Sequence, residues 1–417
     1  MTSKAIVGDE NQADSSHAAP GLLVRKDRNK AVDALRGLVM IIMALDHTRE
    51  FFHAGAMSFQ PDDLTRTTAA LFLTRWVTHV CAPVFFFTTG VGAFFWRGRG
   101  HRESQVGFLV KRGLWLVLLE MTALRFATSF SLRNGPVFLT ILWALGWSMV
   151  ALAFLSRLPI RLLAGGCLLV ILLHNLLDPI SAQSLGAAGP IWNFLHQPGL
   201  ISACSVMLIV GYPLIPWVAV MASGYCFGPV LNFDPGRRRA WMVRIGLGMI
   251  VAFVALRALN VYGDPFPWSS EIPSTTVLSF LRCTKYPPSL DFLLMTLGPA
   301  LLLLAWFDLL DFSSSGWSGL NPLLVFGRVP LFYFLLHFLL IHLLMIPFAF
   351  GRYGTIAFLV NPPPSLGGPS DLYPPDYGYG LGEVYGIWML VVLIMYPLCL
   401  WFSRLKERRR DWWLGYI

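Results

Sequence analysis

The chain has 417 residues, of which 55% are hydrophobic and 13% are charged, and its mean hydropathy is +0.60. Soluble domains contain about 25% charged residues, so this composition argues against a soluble globular enzyme. The net charge of +9 does not indicate nucleic-acid binding, because the basic residues stand in short blocks between apolar runs. The composition instead predicts that the main partner is a lipid bilayer.

Apolar runs of about 20 residues recur along the chain, and each is long enough to cross ~30 Å of hydrocarbon. They predict an all-α fold, a polytopic integral membrane helical bundle with ten transmembrane helices, or eleven. The ten runs are 32–52, 69–96, 106–127, 136–156, 160–177, 205–228, 240–260, 287–308, 329–350 and 382–403.

The basic blocks would all lie on one side of the membrane if ten helices cross it. The positive-inside rule then places both termini in the cytoplasm. We therefore predict a disordered cytoplasmic tail over residues 1–30, a transmembrane domain over 31–405 and a basic cytoplasmic tail over 406–417. The loop 351–381 on the opposite side is rich in Pro, Gly and Tyr, and it would suit a lid, a substrate entrance or a plain surface loop.

The first span carries the most unusual cluster of ionisable residues. In Val32–His53, Asp46, His47 and Glu50 follow the apolar run, and His53 comes shortly after. An ionisable group at mid-bilayer costs about 2.5–3.5 kcal/mol on insertion scales, so such residues indicate function. Adjacent residues on a helix point ~100° apart, so Asp46 and His47 do not form a simple pair, whereas Asp46 and Glu50 share a face.

Polar residues of other spans fall at a similar depth when position is converted at ~1.5 Å per residue. This outer layer contains Arg75, His79, Glu120, Arg125, His174, Arg257, Lys285, Asp291 and His342, with His337 somewhat deeper. Such groups face the bundle interior or a wet cavity. A structural ion-pair network would explain the charges, but four histidines at one depth (His47, His79, His174 and His342) exceed what that interpretation needs. Histidine is the residue that moves protons near neutral pH.

Other chemistry has little support in the sequence. The six cysteines lack paired metal-ligand spacing and fall mostly in apolar runs, so we expect small buried residues and no metal. The sequence contains no Gly-rich phosphate loop, no GxSxG and no HExxH.

Three segments carry a resemblance to a known family: VDALRGLVMIIMALDH, HAGAMSFQPDDL and APVFFFTTGVGAFF, with weaker support from TKYPPSLDFLLMTLGP and LNPLLVFGRVPLFYFLLH. They resemble the catalytic-domain family of heparan-alpha-glucosaminide N-acetyltransferase. The resemblance implies transfer of an acetyl group from cytoplasmic acetyl-CoA to an amino sugar across the membrane. It also implies an essential histidine followed by alanine, which only His53-Ala54 matches in context. Because His47 stands where the family has an asparagine, both histidines remain candidates for the base.

The roles follow from acyl-transfer chemistry, which needs a base and a group that stabilises the oxyanion. The catalytic candidates are His53, His47, Asp46 and Glu50, with a carboxylate orienting the active histidine. The candidates for contact with the substrate are Arg75, His79, Glu120, Arg125, Lys285, Asp291 and His337. For the phosphates of acetyl-CoA the candidates are Arg36, Arg97 and Arg112 at the inner mouth, although ordinary positive-inside charge would explain each of them singly.

The sequence thus predicts a membrane acyltransferase of a bacterial inner membrane, with acyl-CoA as donor and a sugar or glycan as acceptor. A proton-coupled transporter that relays protons through the same residues is the alternative. A structural membrane protein with an ion-paired bundle is a third interpretation. The oligomeric state stays open, with a homodimer as one option.

Overall fold

The computed structural model describes residues 29–97, 104–132, 135–203, 206–310, 312, 321–409 and 411–416. Nearly all of the predicted tail 1–30 lies outside these residues. The α-helices are α1 (Lys30–Phe52), α2 (Ala69–Thr78), α3 (Cys81–Arg97), α4 (Gln105–Leu119), α5 (Arg125–Ser129), α6 (Ile141–Leu155), α7 (Ile160–Leu173), α8 (Gly189–Leu195), α9 (Leu214–Phe227), α10 (Pro235–Leu259), α11 (Thr276–Leu281), α12 (Leu290–Leu309), α13 (Pro322–Arg328), α14 (Pro330–Tyr353) and α15 (Leu381–Arg408). The strands are β1 (Val137–Leu139), β2 (Gly199–Ala203) and β3 (Val206–Val210).

Seven helical segments in the described residues are long and apolar enough to cross a membrane, which confirms a helical membrane protein. They are Ala69–Arg97, Ile160–Leu177, Leu214–Asn232, Pro235–Leu259, Leu290–Leu309, Pro330–Tyr353 and Leu381–Arg408. Only 17% of the most apolar window of Ile160–Leu177 is buried, against 78% for Leu290–Leu309. Ile160–Leu177 therefore offers most of its surface to lipid, whereas Leu290–Leu309 lies in the core.

Two predicted spans begin as strands and not as helices. Residues 137–139 form β1 and residues 206–210 form β3, which pair in parallel, while β2 pairs antiparallel with β3. The prediction of helix from 136 and from 205 is wrong there, because short apolar runs do not distinguish a strand from a buried helix. The three strands satisfy each other's backbone groups, and Pro213 separates β3 from α9.

The predicted tail 406–417 is largely ordered against the bundle in its described part. Helix α15 continues through Arg408, and a 3₁₀ turn follows at Trp412–Gly415. Leu414 is buried, and the backbone carbonyl of Gly415 accepts a hydrogen bond from Arg112. This end of the chain therefore packs on α4.

Helix α1 lies at the centre of the bundle, with α2, α3, α12, α13, α14 and α15 packed around it. Asn29 caps its first turn by accepting hydrogen bonds from the backbone N–H groups of Ala31 and Val32. The helix ends at Phe52, where His53 turns extended and its segment pairs with Tyr379 through two backbone hydrogen bonds of 3.0 and 2.8 Å. This bridge fixes the end of α1 to the segment that precedes α15.

Glycines allow two central helices to touch along their backbones. Gly90 of α3 and Gly224 of α9 stand at this contact, where small residues let helix backbones approach closely. A Cβ on Gly90 would lie 1.8 Å from the carbonyl oxygen of Met221 in α9, and one on Gly224 would lie 1.9 Å from that of Phe87 in α3. No side chain fits between these two helices.

We expect Gly224→Ala to separate α3 from α9 and to lower the free energy of unfolding by about 3 kcal/mol, because the obstacle is backbone and not a movable side chain. Gly248→Ala in α10 is the matched control, since a Cβ there meets no described residue within 4 Å. Thermal unfolding of the purified variants in detergent measures both. Equal melting temperatures for the two variants would contradict the close contact.

Candidate active site

The C-terminal turns of α1 hold one carboxylate between two guanidinium groups. Asp46 is buried, and one of its oxygens accepts hydrogen bonds from Arg49 at 3.0 and 3.3 Å. Its other oxygen accepts a hydrogen bond from Arg75 of α2. A buried charge is tolerated only when it is paired, so each member of this cluster holds the others in place.

The next residue, His47, pairs with Glu50, whose other carboxylate oxygen lies 3.6 Å from the Arg49 guanidinium. Its Nδ1 lies 2.7 Å from a carboxylate oxygen of Glu50, one turn further along α1. A neutral imidazole that donates from Nδ1 to this carboxylate has its lone pair on Nε2. The imidazole packs on the Phe338 ring of α14 at 4.1 Å, which fixes its plane. The sequence prediction that Asp46 and His47 do not pair is confirmed.

A cavity of about 160 Å³ opens beside this pair. Its lining contains seven residues that the sequence singles out: Asp46, His47, Glu50, Arg75, Glu120, Arg125 and Lys285. They come from α1, α2, the π-helical turn Glu120–Leu124, α5 and the segment before α12. The fold therefore gathers residues that are up to 239 positions apart, from Asp46 to Lys285, around one space.

Two tyrosines complete the wall, and the sequence analysis missed both. Tyr286 donates a 3.3 Å hydrogen bond to the hydroxyl of Tyr212, and both line the cavity. The Lys285 ammonium lies 5.2 Å from the centre of the Tyr286 ring. Tyr212 stands between β3 and α9, in a stretch predicted to be mid-helix, so no positional signal pointed to it. Tyr286 could have been found as the neighbour of Lys285.

Glu120 has an architectural role as well as a place in the wall. Its two oxygens accept hydrogen bonds from Thr140, Leu142 and Trp143, at the start of α6. A carboxylate at this position satisfies the free N–H groups of the first turn and interacts favourably with the helix dipole. The π-helical turn that begins at Glu120 directs the side chain towards α6.

Part of the loop 351–381 covers the cavity. Pro362 and Leu366 belong to its lining, and Ser365 donates a 2.7 Å hydrogen bond to the backbone carbonyl of Glu50. The loop is thus attached directly to the turn of α1 that carries the histidine.

Four predicted residues lie elsewhere, since none is among the described residues that line this cavity. His79 is buried against Phe292, and Asp291 faces Arg257 at 3.8 Å. The ring of His337 lies behind His47, with centroids 5.3 Å apart, and its Nδ1 bonds the backbone of its own helix. His53, just beyond the end of α1, uses Nδ1 to accept a 3.0 Å hydrogen bond from the Gly55 N–H.

The position of His53 also affects its protonation. Burial lowers the pKa of His53 below its usual value, and the positive charge of Arg49 lowers it further. His53 is therefore neutral at neutral pH, with its lone pair on Nδ1 engaged by the backbone. This arrangement closes the turn after α1.

A second cavity, of about 240 Å³, lies towards the other end of the bundle. Arg36 and Arg112 line it together with the stacked rings of Trp96 and Phe108, whose centroids are 4.4 Å apart. Arg97, the third predicted contact to the donor, is not among the described residues of this lining and donates to the hydroxyl of Tyr225. Three apolar residues line both cavities and form the partition between them: Phe85, Ile141 and Phe334.

We expect Asp46→Asn to lower the free energy of unfolding by about 3–5 kcal/mol, because it removes the buried carboxylate that Arg49 and Arg75 share and leaves Arg49 with the 3.6 Å contact to Glu50. Asp62→Asn is the control, since Asp62 meets Arg282 at 4.0 Å with both side chains 45% exposed; it should cost less than about 1 kcal/mol. Thermal unfolding provides the comparison. A loss for Asp46→Asn as small as that for Asp62→Asn would contradict the role of the cluster.

The comparison with curated proteins gave no match. The family described as heparan-alpha-glucosaminide N-acetyltransferase, catalytic, matches residues 28–263. The matched segment covers more than half of the 417 residues. It includes the whole of α1 and every predicted residue of the first cavity except Lys285. The resemblance seen in the sequence is confirmed, and the chain belongs to the heparan-alpha-glucosaminide N-acetyltransferase catalytic-domain family.

Proposed function

We propose that the protein is a membrane acetyltransferase in which His47 is the general base, acting on an amino sugar or glycan in the first cavity. The observation that carries this proposal is the His47–Glu50 pair at 2.7 Å beside a cavity that also contains Arg75 and Lys285. A base held by a carboxylate, next to positive charge, is the arrangement that acyl transfer requires. Family membership favours transfer over transport.

The proposed step begins with an acceptor amine in its neutral form. As its nitrogen attacks the thioester carbonyl, Nε2 of His47 takes the proton that the nitrogen loses, and Glu50 stabilises the imidazolium that forms. The carbonyl oxygen becomes negative near Arg75 and Lys285. The carbon–sulfur bond then breaks, and His47 returns the proton to the departing thiolate, so the amide and free coenzyme A are the products.

The donor, acetyl-CoA, is proposed to enter through the second cavity. Arg36 and Arg112 supply positive charge for its phosphates, and the stacked pair Trp96 and Phe108 offers a flat apolar surface. The partition between the cavities is apolar and only one residue layer deep. An acylated pantetheine arm is narrow enough to pass once the side chain of Phe334 rotates.

The proposed topology has ten transmembrane helices and two cytoplasmic termini, in a bacterial inner membrane. It adds α1, the segment Gln105–Ser129 and α6 to the seven apolar segments. The positive-inside rule supports the orientation, since Arg97, Arg112 and Arg408 then lie on the cytoplasmic side. The first cavity faces the extracytoplasmic side in this arrangement. The proposed reaction uses residues of one chain and needs no second copy.

We expect His47→Gln to reduce acetyl transfer by about 10²–10⁴-fold, the typical contribution of a general base. His53→Gln should retain activity within about tenfold, because Nδ1 of His53 bonds its own turn and glutamine can accept the same hydrogen bond. The assay offers radiolabelled acetyl-CoA and glucosamine to the purified protein and identifies the product by mass spectrometry.

The opposite ranking, with His53→Gln inactive and His47→Gln active, would move the base to His53. If the wild-type protein moves no acetyl group to any amino sugar or glycan, the proposed function fails. Histidine-dependent uptake driven by a proton gradient into liposomes would then support the transporter.

We expect Arg112→Gln to raise the KM for acetyl-CoA about tenfold or more while leaving the KM for the acceptor unchanged, because a charged contact to phosphate is lost. Arg97→Gln is the matched control, since Arg97 follows Trp96 directly but is not among the described residues that line the second cavity. It should leave the KM for acetyl-CoA and the KM for the acceptor nearly unchanged. Steady-state kinetics with each substrate varied in turn separates the two variants. Equal effects of the two substitutions would show a diffuse charge effect and no donor site.

A further inference from the structure

Two histidines and one aspartate come together at the end of α7, away from both cavities. His174 begins the 3₁₀ turn His174–Leu177, Asp178 follows directly, and His196 stands just after α8. One ligand atom from each of the three lies within 4.8 Å of the others. None of the three is among the described residues that line either cavity, so the proposed acetyl transfer does not use them.

The state of His174 needs an explanation. Its side chain is 2% exposed, and neither ring nitrogen has a hydrogen-bond partner among the described residues. An imidazole that is only a packing residue normally satisfies its nitrogens, because a buried polar atom without a partner costs about 1–3 kcal/mol. His196 is also 2% exposed, and its Nδ1 has no partner within the same part of the chain. Three of the four imidazole nitrogens of His174 and His196 are therefore buried near Asp178 without a hydrogen-bond partner among the described residues.

Hydrogen bonds to both oxygens fix the orientation of the Asp178 carboxylate. One oxygen of Asp178 lies 2.9 Å from Nε2 of His196, and the other accepts a 2.8 Å hydrogen bond from the side-chain amide of Asn175. Asn175 in turn accepts a 2.9 Å hydrogen bond from the N–H of Leu290, the first residue of α12. Hydrogen bonds of this kind around a ligating carboxylate are typical of metal sites, where they fix the ligand's direction.

We propose that His174, Asp178 and His196 bind one zinc ion. Two imidazoles and a carboxylate suit Zn²⁺, whereas Mg²⁺ and Ca²⁺ prefer sites made of oxygen ligands. Zinc–nitrogen bonds of about 2.0–2.1 Å place tetrahedral ligand atoms about 3.3 Å apart. The Asp178–His196 pair, at 2.9 Å, is already near this separation, and ligand atoms up to 4.8 Å apart would move together by roughly 1.5 Å at most. Three protein ligands leave the fourth position for water.

The ion would tie the end of α7 to the segment that leads into β2. The sheet that contains β2 continues through β3 to β1, and Val137 and Phe138 of β1 line the first cavity. Asn175 connects the same point to the start of α12, five residues after Lys285. Zinc would therefore act as a structural clamp on two parts of the cavity wall, without contact with the reacting groups. The sequence does not reveal this site, because His196 lies 18 residues from Asp178.

The test measures zinc in protein that is purified without a polyhistidine tag, stripped with EDTA and reloaded with ZnCl₂. We expect one zinc ion per chain by mass spectrometry, and a melting temperature that rises with zinc concentration. His196→Gln and Asp178→Asn should each bind zinc more than about tenfold more weakly and lose the shift. His342→Gln is the control, since His342 is equally buried but bonds the carbonyl of Ala127. This variant should keep the zinc affinity and the rise in melting temperature of the wild-type protein.

X-ray absorption of the zinc-loaded wild-type protein tests the ligands without any substitution. We expect two imidazoles and oxygen donors at about 2.0 Å. Failure of the stripped wild-type protein to take up zinc at micromolar concentration would overturn the proposal. So would a spectrum with sulfur ligands or a single imidazole, or unchanged zinc content in both ligand variants.

Discussion

The ionic contact between Asp46, Arg49 and Arg75 is the interaction on which the rest of the site depends. A lone carboxylate in a transmembrane bundle would be expelled or neutralised, and two lone guanidinium groups would repel each other. Together they are stable, and they lock α2 against α1. Because Asp46 is held in this way, the next residue along the helix is turned by ~100° into the cavity. The orientation of α1 that places Asp46 between Arg49 and Arg75 also places His47 in the cavity wall.

The two cavities divide the proposed reaction between two ends of the bundle. The first cavity contains the histidine–carboxylate pair and positive charge, and the second contains arginines and stacked aromatic rings. Phe85, Ile141 and Phe334 line both cavities and stand between them. An apolar partition of this kind suits a reaction in which only an acyl group has to reach the far side. The close contact of α3 with α9 keeps Phe85 in its place in that partition, since Phe87 on the same helix touches Gly224 through its backbone.

Much of this architecture could be predicted from the sequence, and the failures have physical causes. The ionisable residues of α1 were identified because charge inside an apolar run has few explanations. The conversion of sequence position to depth predicted that Arg75, Glu120, Arg125 and Lys285 lie near these α1 residues, and they do. Depth is only one coordinate, however, and the direction of each side chain around its helix depends on packing partners distant in sequence. His79 and Asp291 share the depth of the site but face Phe292 and Arg257 instead.

The strands and the tyrosines were missed for a related reason. Five apolar residues before Gly211 fit a helix as well as a strand, and only pairing with β1 decides between them. Tyr212 therefore could not be placed from the sequence. Residues His174 and His342 were assigned to one layer with His47, yet they belong to separate clusters, where Asp178 and Ala127 are their neighbours.

In the proposed reaction, donor and acceptor meet from opposite sides of the membrane. Proteoliposomes with glucosamine trapped inside and acetyl-CoA supplied outside test it most directly, because mixed orientation of the protein does not affect the outcome. We expect acetylated product inside the vesicles, and none when both substrates are confined to the same compartment. Product that forms only when donor and acceptor share a compartment would contradict it.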